Sequence, residues 1–297
     1  MKWQGVLPAF TTPFREDLSV DEAFLPRHLG AMLEAGCQGF VALGSLGEAA
    51  TLSFEEKVRV LEVSAAALSG RTPLVAGIAS LSTREAVDLA RRAERAGCRG
   101  LMVLPPWVYR GDDRETLAHT SAVLEATPLS CMLYNNPIAY GTDLRPEQMA
   151  ELARRHPNLA AVKESSADVR RLAAIRALVG DRLALFVGVD DLLVEGVAAG
   201  AQGWVAGLVN ALPRESVALF DLARAGRRAE AEALYRWFLP LLRLDVVPRF
   251  VQLIKLVQQE VGLGSERVRP PRLPLAGAER EEALRLIRAC LAARPKV

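Results

Sequence analysis

The sequence predicts an α/β protein, a (β/α)8 TIM barrel with a C-terminal helical extension. Three observations predict it. Eight short apolar runs alternate with amphipathic helical stretches. The runs are almost continuously apolar, as strands are when both faces are buried. One helix-to-strand joint recurs three times, as Ala35-Gly36-Cys37-Gln38-Gly39, Ala96-Gly97-Cys98-Arg99-Gly100 and Ala199-Gly200-Ala201-Gln202-Gly203. The first glycine of each joint can take the left-handed conformation that stops a helix, and the second permits close packing at the strand entry. A joint repeated in this way points to repeated units.

The predicted strands cover residues 5–9, 39–43, 74–77, 100–104, 130–134, 160–163, 184–187 and 203–206. Helices are expected near 21–35, 54–69, 83–96, 113–126, 145–155, 167–178, 190–199 and 212–225. After residue 225 the alternation stops. Residues 229–242, 250–261 and 278–293 read as amphipathic helices with no strand between them, and 262–275 is a link containing Gly and Pro. The expected organisation is a catalytic barrel over 1–225 and a helical segment, 226–297, packed on it.

With 297 residues, 51% of them apolar and 24% charged, the chain can bury a large core. The formal charge of +2 and the mixed charges of stretches such as Arg91-Arg92-Ala93-Glu94-Arg95 suit solvated helices, not a nucleic-acid groove. The four cysteines have no metal-like spacing and suit reduced thiols. Residues 1–9 lack a charged region followed by a long apolar run, and no apolar run reaches membrane-spanning length. A soluble, cytoplasmic protein is expected, with no nucleic-acid or membrane partner.

Active-site residues of such a barrel sit at the C-terminal ends of the strands, which selects a short list. Lys163 ends the sixth run, Ala160-Ala161-Val162-Lys163, and is the only one of five lysines so placed; arginines number 32. An amine beside low-dielectric surroundings has its charged form disfavoured and can attack a ketone as a free base. The same residues also fit a lysine that ends a strand and carries its charge to water. Ser45, between Gly44 and the Leu46-Gly47 pair, precedes a helix where backbone N–H groups can converge on a carboxylate; an ordinary glycine turn fits equally. Tyr134 closes the fifth strand as a proton carrier or as an aromatic strand residue. Asp190 and Asp191 follow the seventh strand, to meet substrate hydroxyls or to cap the next helix. Lys255 falls in a late helix and reads as a surface or interface residue. His28, His119 and His156 lie in helical stretches, so neither a hydrolytic triad nor a metal site is expected. No phosphate loop or dinucleotide fingerprint is present.

Four motifs, in this order and spacing, carry a resemblance: Thr11-Thr12-Pro13-Phe14, Gly44-Ser45-Leu46-Gly47-Glu48, Leu133-Tyr134-Asn135-Asn136-Pro137 and Val162-Lys163-Glu164-Ser165-Ser166. The chain resembles the dihydrodipicolinate synthase / N-acetylneuraminate lyase family of Schiff-base-forming barrels. The resemblance implies that Lys163 forms an imine with a small 2-oxo acid, with no other cofactor. It implies that Tyr134 shuttles protons and that Ser45 and the N–H of Leu46 bind the carboxylate. Gly188 and Val205 would line the pocket, and the assembly would be a homotetramer built from two dimers.

Departures from the family pattern bear on the substrate. Leu46 stands where the synthase subgroup has a second threonine. Val108 stands where a neighbouring subunit's tyrosine is used, with Tyr109 adjacent as a substitute. Ala139 replaces an arginine that holds the second substrate's carboxylate. Gly207 replaces a serine of the sialic-acid lyases. Stretches 132–141 and 243–245 resemble a branch acting in hydroxyproline breakdown. The expected reaction is therefore dehydration and deamination of 1-pyrroline-4-hydroxy-2-carboxylate to 2-oxoglutarate semialdehyde. The alternatives are 4-hydroxy-tetrahydrodipicolinate synthesis from pyruvate and aspartate semialdehyde, another 2-keto-3-deoxy acid aldolase or dehydratase, and an inactive metabolite-binding barrel.

Overall fold

The computed structural model describes residues 1–106, 109 and 111–297. All eight predicted strands are present: β1 (Gly5–Pro8), β2 (Phe40–Ala42), β3 (Leu74–Ile78), β4 (Gly100–Val103), β5 (Ser130–Asn135), β6 (Leu159–Glu164), β7 (Ala184–Val187) and β8 (Gly203–Ala206). They form one parallel sheet in the order β1-β8-β7-β6-β5-β4-β3-β2, and an Ala9–Val41 bridge all but closes it into a barrel.

Helices alternate with these strands: α1 (Phe24–Glu34), α2 (Phe54–Leu68), α3 (Thr83–Arg95), α4 (Asp113–Glu125), α5 (Pro137–Tyr140), α6 (Pro146–Arg155), α7 (Arg170–Val179), α8 (Leu193–Ala198) and α9 (Pro213–Arg224). The side chains of Ser53, Ser82 and Asp112 cap α2, α3 and α4 by accepting from the N–H three residues on. The repeated joint behaves as the sequence predicts. Gly36, Gly97 and Gly200 have φ of +100°, +94° and +100°. In each joint the next residue's N–H reaches a carbonyl five residues back: Cys37 to Met32, Cys98 to Ala93 and Ala201 to Gly196. That bond satisfies a carbonyl that the helix end leaves open.

Period-two alternation divides the strands into two packed faces. Leu7, Val41, Val75, Met102, Met132, Ala161, Phe186 and Val205 fill the barrel interior with Trp3 beneath them, while the other face packs against the helices. Helices α10 (Arg228–Leu242), α11 (Phe250–Glu260) and α12 (Gly277–Ala292) follow without strands, as expected, and α10 packs on α9 and α12.

Lys255 departs from its sequence reading. It is buried, not at the surface, and its ammonium meets Glu48 at 2.5 Å and the carbonyls of Thr12 and Arg267 at 2.9 and 2.7 Å. The sequence places Lys255 on a helix but cannot place Glu48, 207 residues away, against it. Among the described residues no helix is long and apolar enough to cross a membrane.

Candidate active site

The same alternation that buries Met132 and Ala161 inside the barrel brings Tyr134 and Lys163, two residues on, to its C-terminal mouth. These two are direct partners in the β5–β6 register. The Lys163 Nζ lies 4.2 Å from the centre of the Tyr134 ring. On β7 the same step leads from Phe186 to Gly188. A methyl group on Gly188 would fall 2.5 Å from the Lys163 Cε and 1.9 Å from the Ser165 Oγ, so glycine there makes room for the lysine. Val205 on β8 and Leu46 after β2 supply apolar walls. Ser45, Leu46, Tyr134, Lys163, Gly188 and Val205 thus line one cavity of about 780 Å³, together with Asp191, whereas Asp190 does not line it.

Burial lowers the Lys163 pKa to about 8 against the opposing pull of Asp245 and Asp190. Burial raises the Tyr134 phenol, and its hydroxyl accepts from the Asn136 amide at 3.0 Å. The Ser165 Oγ is buried and completes no hydrogen bond, although it lies near enough to the Tyr134 hydroxyl to oppose that rise. The N–H of Leu46 donates to no backbone carbonyl among the described residues, which leaves it open to a carboxylate beside the Ser45 hydroxyl. Between Ser45 and the predicted helix, which begins at Phe54 as α2, lies a single 3-10 turn, Ala49–Thr51.

Asp190 has a structural task in place of the two read from sequence. It caps no helix. Its buried carboxylate accepts from the Trp204 Nε1 and from the N–H groups of Gly207 and Leu208, at 2.8–3.1 Å, and so ties the end of β7 to that of β8. Burial raises its pKa to about 6, with those donors opposing. Asp191 approaches Arg243 at 3.7 Å at the cavity wall. The Tyr109 side chain is exposed, its hydroxyl bonded to Glu115 at 3.0 Å, and it does not enter this chain's cavity. Val108 lies outside the described residues.

Two further residues line or support the site although the sequence reading assigned them no site role, only a place in stretches 132–141 and 243–245. Tyr140 ends the one-turn helix α5, packs edge-on to Tyr134 with ring centres 6.0 Å apart, and hydrogen-bonds Ser45 through its hydroxyl. Burial pushes its phenol well above the ordinary range. The signal was there: Asn136 before Pro137 reads as a cap followed by a first helical residue, and Gly141, at φ +72°, reads as the stop. Asp245 reaches the cavity from the segment beyond the barrel, and no strand-end rule could select it. Among the described residues no group of three or more His, Cys, Asp or Glu is placed to hold a metal.

The model of the dihydrodipicolinate synthetase family matches residues 2–290. The chain belongs to this family. Its members are lyases of the class I aldolase type. A 4-hydroxy-tetrahydrodipicolinate synthase of Methanopyrus kandleri is 33% identical over 286 residues, covering 96% of this chain and 94% of the relative. One of Pelobacter propionicus is 31% identical over 278 residues, covering 94% and 95%. Among solved structures, a dihydrodipicolinate synthase of Bacillus anthracis superposes with a TM-score of 0.93 at 26% identity, covering all of both chains. YagE of E. coli K12, a member of the same family crystallised with pyruvate, superposes at 0.91 with 25% identity, covering 97% of this chain and 99% of that one.

Proposed function

We propose that this chain is a lysine-imine lyase that takes pyruvate or a similar short 2-oxo acid, and that it joins the resulting enamine to an aldehyde. The observation that carries the reading is the lowered Lys163 amine, buried beside Tyr134 and Ser45 in one cavity. The neutral amine adds to the keto carbon, and loss of water gives the imine. Ser45 and the Leu46 N–H hold the substrate carboxylate. The imine withdraws electrons, so a proton leaves the methyl carbon and an enamine forms. The enamine carbon then bonds to the aldehyde carbon, whose oxygen takes up a proton. Tyr134, within contact of Lys163 and hydrogen-bonded by the half-buried Asn136, is the proton carrier.

The synthase names of the relatives favour 4-hydroxy-tetrahydrodipicolinate synthesis over the dehydration and deamination of 1-pyrroline-4-hydroxy-2-carboxylate. One observation favours a second reading, a 2-keto-3-deoxy acid aldolase or dehydratase. Ala139 lines the cavity, and among the described residues Lys163 is its only cationic lining residue, so a second substrate carboxylate lacks a charged anchor. Borohydride reduction with pyruvate is the test. A mass adduct confined to the Lys163 peptide is expected, and its absence across a panel of 2-oxo acids would reject the imine. Product formation from pyruvate and aspartate semialdehyde then separates the synthase from the second reading. The homotetramer of the family is part of this proposal, checked by sedimentation.

A further inference from the structure

Asp245 is left without a task by imine formation alone. It closes the short 3-10 turn Arg243–Asp245 between α10 and α11, and it projects into the cavity that holds Lys163. Gly207, at the end of β8, makes its approach possible: a methyl group there would lie 2.1 Å from Oδ1 and 2.6 Å from Cγ. Among the described residues no hydrogen bond or ion pair engages this carboxylate. The charges it feels are Asp190 and Asp191, which repel it, and Lys163, which attracts it. Burial and that repulsion hold its carboxyl well above the usual carboxylate range, so the empty cavity favours the acid form and a donor on the substrate favours the carboxylate. Lys163 is not a standing counter-ion, because its nitrogen becomes bonded to substrate. A second unmet polar group, the buried Ser165 Oγ, lines the same cavity. A carboxylate brought into an active cavity with no donor of its own is completed by a donor on the substrate.

Building on the imine reading, we infer that Asp245 is a specificity-determining residue that receives a hydrogen-bond donor, ammonium or hydroxyl, carried by the aldehyde partner. Three aldehydes of one chain length separate the cases: aspartate semialdehyde, its analogue with hydroxyl in place of the amine, and succinic semialdehyde, which has neither. With pyruvate saturating, the wild-type enzyme is expected to favour at least one of the two donor-bearing aldehydes over succinic semialdehyde in kcat/KM. The factor is about tenfold to a hundredfold, the range of a charge-assisted hydrogen bond left unpaired. The arm that responds identifies the donor. Asp245→Asn is expected to erase that preference while pyruvate is still trapped on Lys163. Gly207→Ala retains the acid but displaces it, and is expected to do the same; it stands in should Asp245→Asn fail to fold. A wild-type enzyme indifferent to the donor, or variants that discriminate as the wild type does, would overturn the assignment. Failure of the underlying imine reading shows separately, as no borohydride adduct on wild-type Lys163.

Discussion

The proposed imine chemistry turns on how much of Lys163 is uncharged near neutral pH. With a pKa of about 8, about one tenth of the amine is free base at pH 7, against roughly three parts in ten thousand for an ordinary lysine. The imine-forming rate at low pyruvate should therefore climb about tenfold per pH unit below 8 and level off above it. Rapid-quench borohydride trapping from pH 6 to 10 checks this, and a bend near 10.5 would mean that burial has not shifted the amine. Asp245 favours the charged form of Lys163. Replacing its carboxyl by an amide should move the bend to lower pH, by about half a unit to one unit. Tyr140 invites a second test at this scale. Its hydroxyl shares a hydrogen bond with Ser45, the residue assigned to the substrate carboxylate. Tyr140→Phe should raise the KM for pyruvate about tenfold, with a smaller change in kcat, because it loosens a binding group and not the nucleophile.

At the scale of elements, strand alternation does the positioning, and this is why much of the site was readable. Lys163, Tyr134 and Val205 face the barrel interior because Ala161, Met132 and Gly203, two residues earlier, also face it. Neighbouring motif residues on the other face hold the rim. Glu164 accepts from the Asn135 amide, the Ser166 N–H and Arg171, while the Asn135 Oδ1 accepts from the Leu144 N–H. Local pattern thus found every strand and the strand-end residues that line the cavity. It could not find Asp245, whose place depends on how α10 and α11 pack above β8, nor the true role of Asp190, which depends on donors from Trp204, Gly207 and Leu208. Such contacts join residues with no shared periodicity. The testable element is the end of β7. Gly188→Ala puts a carbon 2.5 Å from the Lys163 Cε and 1.9 Å from the Ser165 Oγ. The barrel should still fold, with an unchanged far-ultraviolet circular dichroism spectrum, while pyruvate trapping falls at least tenfold. Retained trapping would show that the lysine has room to spare.

At the scale of the whole molecule, the barrel and the C-terminal helices meet through buried charge. Glu48 ends the Gly44–Glu48 loop in the left-handed region, at φ +53°, and is almost wholly buried. It receives Lys255 from α11 and the N–H of Arg269. The Lys255 ammonium also lies 4.4 Å from the centre of the Phe14 ring and donates to the Thr12 and Arg267 carbonyls. One ion pair therefore joins the loop that carries Ser45, the turn after β1 and the segment that delivers Asp245. Desolvation lowers the Lys255 pKa to about 8 with Glu48 opposing, so the pair is held together against a cost. Among the described residues, removing Glu48 leaves the buried Lys255 without a carboxylate, and removing Lys255 leaves Glu48 only Arg272, at 3.9 Å, as an ion-pair partner; breaking a buried pair costs about 3–5 kcal/mol. Glu48→Gln and Lys255→Met should each lower the melting temperature by on the order of 10 °C. The double variant Glu48→Gln with Lys255→Met leaves neither member of the buried pair facing the loss of the other, so it should be more stable than the sum of the single losses implies. Thermal denaturation of all three decides the matter, and additive losses would mean that the two residues act independently. A loosened C-terminal segment should also weaken aldehyde discrimination through Asp245 before it affects imine formation at Lys163, because the lysine is fixed by β6 and the aspartate by the turn between α10 and α11.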